Sequence, residues 1–246
     1  IVANMSLGTP SYSYALKDAV DYVISRGVVV VAAAGNSYRR IAFYPAAFNG
    51  VISVAASTPR DEKADFSCIG WWNSVAAPGE RILSVIPNNN YRALNGTSMA
   101  APFVAGAAAL LLAEYPGLKP VEVMNQIEQT ARGNGFSEEL GYGILDLAAM
   151  LGERKPMMYG TLAVRTDLAD EDEAVAVVTV YNSNGELAAY GAAGEDGSHI
   201  FHALHPGEYV VSVTHYDEAA GTWEVSSKPI SLGIGEEVEV RFQFGS

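Results

Sequence analysis

Histidine is scarce in this sequence and confined to one stretch. The 246 residues hold four: His199, His202, His205 and His215. Residues 1–198 therefore lack the side chain that most often serves as a general base near neutral pH. Cysteine is scarcer still. Cys68 stands alone, which excludes an internal disulfide and leaves the redox compartment open. Positive charge is thin and uneven. Residues 1–152 carry 10 Lys and Arg against 12 Asp and Glu, and residues 153–246 carry 5 against 16, within a net charge of -13. A net of about -11 on the second part argues against nucleic acid as a partner and for a self-repelling, solvated surface. No uninterrupted apolar run reaches the length of a membrane span. The start shows no basic cluster followed by an apolar stretch and a small-residue cleavage site. Instead Ile1-Val2-Ala3-Asn4-Met5-Ser6-Leu7 reads as a strand already under way, so a fragment or processed product is expected.

What is present is a large apolar content, 49% of residues, arranged in two periods. Over residues 1–152, short apolar runs alternate with helical patterns. Ile1–Leu7, Val28–Ala34, Val51–Ala56 and Ser74–Ala77 read as strands. Ser13–Arg26 reads as a helix, with Ala15, Leu16, Ala19, Val20, Val23 and Ile24 on one face and Gly27 just past its end. Met99–Glu114 is apolar nearly all round and should be central; a start at Met99 puts Pro102 in the first turn, where proline is tolerated. Pro120–Thr130 is another helix. This alternation predicts an α/β fold, a parallel sheet with helices on both faces. Residues 153–158 read as a linker. From 159 to 246 the period drops to two: Thr161–Thr166, Ala174–Tyr181, Leu187–Tyr190, His199–Leu204, Tyr209–Tyr216, Trp223–Leu232 and Glu237–Phe244 read as strands. Asn184-Gly185, Asp196-Gly197 and Pro206-Gly207 punctuate them. The expectation is an all-β antiparallel sandwich.

Two motifs in the first part carry chemistry. Asn95-Gly96-Thr97-Ser98-Met99-Ala100-Ala101-Pro102 opens the apolar helix. Helix N-termini present unpaired N–H groups and a partial positive charge, so a hydroxyl at Ser98 has donors ready for a developing oxyanion. Gly96 permits a tight turn ahead of it. Ala32-Ala33-Ala34-Gly35-Asn36 ends a buried strand at its carboxyl edge, where α/β sites gather. Asn36 is a candidate second donor. Read alone, a Gly-Thr-Ser run is usually only a helix cap, and an Asn after Gly is usually a turn residue.

Together with Ser6-Leu7-Gly8, in this order and spacing, these motifs resemble the second half of the catalytic domain of subtilisin-like serine proteases. The resemblance covers residues 1–152. It implies peptide-bond hydrolysis with Ser98 as nucleophile and Asn36 as oxyanion-hole amide. It implies that Ser6, Leu7 and Gly8 pair with the substrate backbone, and that Ala33, Ala34 and Gly35 wall the pocket for the residue before the cut. It further implies a cis Tyr44-Pro45 peptide, a peptide or protein substrate, and an extracellular or cell-surface location. No cofactor is required for the chemistry. The carbonyls of Ala46, Phe48 and Val51 match a weak cation site, which allows a structural calcium.

Departures from the family pattern matter equally. The family's catalytic Asp and His precede the strand matching Ile1–Leu7, and nothing here corresponds to either. Asp18, Asp21, Asp61 and Asp65 read as solvated. In the resembled fold the Ile1–Leu7 strand is central, so removing its neighbour exposes an apolar edge. A partner is expected: the N-terminal half of the same precursor, or a second copy of the chain. The alternative function is a truncated or degenerate homologue that binds peptides without cutting them. Residues 159–246 resemble the prealbumin-like, carboxypeptidase-regulatory-like modules that accompany secreted hydrolases, through Val178–Gly185, Glu195-Asp196-Gly197 and Leu204–Val213. The acidic run Asp167–Glu173 reads as a solvated loop. His199, His202 and His205, three apart across a strand and turn, are poorly spaced for zinc.

Overall fold

A computed structural model describes residues 1–168, 176–194, 196–217 and 221–244. It divides into two compact units, Ile1–Pro156 and Met157–Ser246. Residues 169–173 of the acidic run and residues 174 and 175 of the strand expected over Ala174–Tyr181 lie outside the described residues, as does Glu195.

The first unit is built on Val2–Met5 (β1), Tyr14–Ser25 (α1), Val29–Ala33 (β2), Ile52–Ser57 (β3), Val75–Pro78 (β4), Ile82–Ile86 (β5), Asn90–Leu94 (β6), Thr97–Glu114 (α2), Pro120–Thr130 (α3) and Leu147–Met150 (α4). Strands β1-β2-β3-β4 form one parallel sheet in that order. Every residue of β2 and β3 is buried, as continuous Val/Ala runs require of strands covered on both faces. Helix α2 lies across all four strands, α3 packs against α2 and β2, and α1 packs on β2. Strands β5 and β6 form a separate antiparallel hairpin that the sequence reading missed.

The two sheet edges differ. Along β4, Ala76 N donates to Gly143 O (2.8 Å) and Leu145 N to Ala76 O (2.8 Å), so the segment 141–145 covers that edge. Strand β1 has β2 as its only strand partner among the described residues.

Four expectations change. Helix α2 begins at Thr97, which puts Pro102 at its sixth residue rather than in its first turn. It is also long and apolar enough to cross a membrane by those two measures, with a mean hydropathy of 1.4 over 18 residues. Its packing on four strands accounts for Ala100, Ala101, Val104, Ala107, Ala108 and Leu111, but Phe103 (45%) and Leu110 (50%) are exposed. On α1, Ala15 and Ala19 face solvent, and the buried residues are Lys17, Val20 and Ile24. Residues 153–156 are not a free linker. Gln126 takes the Lys155 N–H (2.9 Å) and donates to Glu153 O (3.2 Å), and Asn125 donates to Pro156 O (3.1 Å).

Two of the aspartates form ion pairs; Asp61 stays exposed as expected, whereas Asp21 is largely withdrawn from solvent. Asp61 bridges Arg132 (2.6 Å). Asp21 bridges Lys17, which is 1% exposed. Burial pushes the Lys17 ammonium down and the Asp21 carboxyl up from their ordinary values, each opposed by the other's charge. The Phe48 ring lies 5.7 Å from Lys17 Nζ, and Tyr12 packs edge to face on both Phe48 and Tyr44.

In the second unit, Gly160–Thr166 (β7), Val177–Asn182 (β8), Leu187–Ala192 (β9), Ser198–Leu204 (β10), Gly207–Asp217 (β11), Thr222–Leu232 (β12) and Glu237–Phe242 (β13) follow. They form a sheet β10-β7-β13 and a sheet β12-β11-β8-β9. Leu162, Phe201, Val240 and Phe242 from the first and Val178, Val180, Val211 and Val213 from the second share one buried cluster. Pairing is antiparallel except that β13 runs parallel to β7, which the alternation pattern could not reveal. His199 belongs to the packing: its Nδ1 donates to Ala192 O (2.7 Å), and its ring fills the space a side chain on Gly191 would need.

Removing one member of a buried ion pair strands the other. Asp21→Ala should cost about 3–5 kcal/mol, read by chemical denaturation. Lys17→Met on that background should restore most of it; failure to do so would mean that Asp21 acts through something other than Lys17.

Candidate active site

The site assembles where α2 begins. Gly96, at φ 154° and ψ 155°, occupies backbone space that is essentially reserved for glycine. This turn delivers Thr97 into the interior and leaves Ser98 half-buried at the surface. Thr97 does most of the tying. Its N–H (2.9 Å) and its hydroxyl (3.0 Å) both donate to Asn36 Oδ1, while its Oγ1 accepts the Gly35 N–H (3.1 Å). With Oδ1 held twice, the Asn36 side-chain amide is fixed, its Nδ2 3.6 Å from where a methyl group on Gly96 would stand. Asn36 itself is exposed.

Ser98 and Ser6 are joined reciprocally. Ser98 Oγ donates to Ser6 O (3.2 Å), and Ser6 Oγ donates to Ser98 O (2.9 Å). The second bond has a cause in the sequence. An α-helix would spend the Ser98 carbonyl on the N–H four residues on. That residue is Pro102, which has no N–H, so the carbonyl is left for Ser6. Asn4 Nδ2 also reaches Ser6 Oγ (3.0 Å).

The structure thus joins Thr97 to Asn36 across 61 residues and Ser98 to Ser6 across 92, which gathers Ser98, Asn36 and Ser6 at one place. Leu7 and Gly8 continue from Ser6 as exposed chain, and Ala33, Ala34 and Gly35 lead into Asn36 as buried chain. Thr9 then pairs with Tyr44 (N–O 3.0 and 2.8 Å), next to the Tyr44-Pro45 peptide, which is cis. The carbonyl-bearing residues Ala46, Phe48 and Val51 sit in the following turn. Phe48 O already accepts the Val51 N–H (3.2 Å), and a set of neutral carbonyls binds hard cations only weakly. The sequence reading missed Thr97 as the organising residue; a small β-branched hydroxyl at a helix N-terminus was the available signal.

The first unit contains no histidine to take the Ser98 proton. The acceptor of the Ser98 hydroxyl is a backbone carbonyl, and all four histidines belong to the other unit.

Comparison with known proteins decides the family. The subtilase family, peptidase S8, matches residues 1–143. The chain belongs to this family of subtilisin-type serine proteases. Subtilisin DY of Bacillus licheniformis is 47% identical over 152 residues, covering 60% of this chain and 56% of that protein. Fervidolysin of Fervidobacterium pennivorans is 36% identical over 282 residues, covering 98% of this chain and 40% of that protein. The crystal structure of fervidolysin, a keratinolytic enzyme related to subtilisin, superposes with a TM-score of 0.76 at 28% identity, over 98% of this chain and 44% of that one. The self-cleaved protease domain of PatA superposes at a TM-score of 0.56 and 32% identity, over 61% of this chain and 60% of that one. The chain spans about half the length of the curated subtilisins it matches. The fervidolysin match runs through both units.

Thr97→Val keeps the shape of the side chain and removes its hydroxyl. The buried Gly35 N–H is then left without its acceptor, at a cost of about 1–3 kcal/mol. Thermal denaturation should show the loss, with Thr97→Ser retaining most of the stability.

Proposed function

We propose that this chain is the nucleophile-bearing half of a subtilisin-type serine endopeptidase. The observation that carries this reading is the union of Ser98, at the start of α2, with an Asn36 amide whose orientation Thr97 fixes. In the reaction, Ser98 Oγ attacks the scissile carbonyl and loses its proton to a histidine. The oxyanion accepts hydrogen bonds from the Ser98 N–H and from Asn36 Nδ2. The histidine returns the proton to the leaving amine, and water then releases the acyl group from Ser98 by the same route. Ser6, Leu7 and Gly8 hold the substrate backbone as an added strand. The substrate is a peptide or protein, and the location is extracellular or cell-surface, by likeness to the family.

The histidine and its aspartate come from another polypeptide segment, the N-terminal half of the same precursor. Two surfaces support such a partner. Among the described residues, β1 has no strand on its outer edge, and Phe103, Gly106 and Leu110 of α2 are exposed. Exposed sheet edges and apolar patches of this kind mark interaction sites. Self-association through β1 would cover the same edge without supplying a base. The second unit we read as a prealbumin-like sandwich module; the match to fervidolysin beyond the protease-like region supports an accessory role for it.

Activity-based labelling separates the readings. A fluorophosphonate probe should label Ser98 in the full-length protein and fail on residues 1–246 alone. Asn36→Ala in the full-length protein should lower kcat by about 10²–10³ with little change in KM. Absence of labelling and of peptide hydrolysis in the full-length protein would overturn the enzymatic reading in favour of a peptide-binding homologue, to which the carbonyl-bound Ser98 hydroxyl would then belong.

A further inference from the structure

Phe43 has no part in the site as described, yet its ring lies against both walls of it. A methyl group on Gly35 would sit 2.6 Å from Phe43 Cδ2 and 2.8 Å from Cγ. A methyl group on Gly8 would sit 3.6 Å from Phe43 Cβ and Cδ1. One ring therefore touches the backbone that ends Ser6–Gly8 and the backbone that ends Ala33–Gly35. It fills the space between the two segments that bound the pocket for the residue before the cut.

The ring cannot easily withdraw. Its neighbour Tyr44 is paired to Thr9 through both backbone bonds, and Phe43 O accepts the Ala47 N–H (2.9 Å). The buried Cys68 Sγ lies 3.0 Å from the same methyl position on Gly35, so ring and sulfur together fill the space on that side of the glycine. Gly35 itself, at φ 103°, admits no side chain that could hold Phe43 away.

We propose that Phe43 occupies the primary specificity pocket and restricts the residue before the scissile bond to glycine, alanine or serine. The inference rests on the protease reading above and names its substrate class: peptides with a small side chain at that position. A pocket already holding a phenyl ring keeps the backbone contacts of Ser6–Gly8 available and excludes only bulk. Apolar pockets discriminate by about 10–200-fold for each methylene they cannot accept.

The test uses the full-length protein and two tetrapeptide anilides that differ only in the last residue, Ala or Phe. The wild type should favour the Ala substrate in kcat/KM by at least about 100-fold. Phe43→Gly should raise kcat/KM for the Phe substrate by a similar factor, so that the preference for Ala over Phe is lost. Phe43→Ala should give an intermediate gain, and it serves if the glycine variant folds poorly by circular dichroism. A wild type that prefers the Phe substrate, or a Phe43→Gly variant with an unchanged ratio, would overturn the proposal while Ser98-dependent hydrolysis upheld the protease reading. If no substrate is hydrolysed, the same comparison is made by calorimetry with N-acetyl tetrapeptides ending in Ala or Phe. Selective binding of the Ala peptide, reversed by Phe43→Gly, would then sustain the pocket assignment alone. Equal binding, or none, would defeat it.

Discussion

The hydroxyl of Thr97 is the group on which the geometry of the site depends. It is buried, it donates to Asn36 and it accepts from Gly35, so it joins the start of α2 to the end of β2 without a covalent link. A buried hydroxyl with both roles filled adds specificity because any shift leaves a polar group unpaired. The turn at Gly96 exists to place it. Ser98 is then left half-buried at the surface as a consequence, one residue further along the helix.

The sheet explains why such a site can be precise. Strands β2 and β3 are wholly buried, and side chains in a close-packed interior have little freedom. Asn36 begins where this rigid region ends. Its position is therefore inherited from the Val/Ala packing beneath it, while its exposure is inherited from the loop. The Lys17–Asp21 pair plays a different part beside the aromatic group of Tyr12, Tyr44 and Phe48. It places charge in a largely apolar setting, which costs solvation and is recovered only while both partners are present.

Much of this was legible in the sequence, for physical reasons. The Val28–Ala34 run reads as a strand covered on both faces, and the Gly96-Thr97-Ser98 run reads as a turn into a helix. What could not be read were relations across the chain. Lys17 looks like an ordinary surface residue of an amphipathic helix until Asp21 and Phe48 close over it. Asp61 is solvated as it looks, but its partner Arg132, 71 residues away, is not visible in the sequence. The parallel pairing of β13 with β7 leaves no trace in a period of two. The hairpin of β5 and β6 was missed because Ile82–Ile86 and Asn90–Leu94 are largely exposed, so no buried face imposed a pattern.

Pro102 turns a missing rung in the helix ladder into a latch. The carbonyl it frees is gripped by Ser6, and the Ser98 hydroxyl grips back, so the extension of β1 and the first turn of α2 are fastened at two points. The strip that would grasp a peptide and the oxygen that would attack it therefore travel as one rigid piece. Thermal motion in either element is shared by the other, and their spacing is preserved even when the piece as a whole shifts.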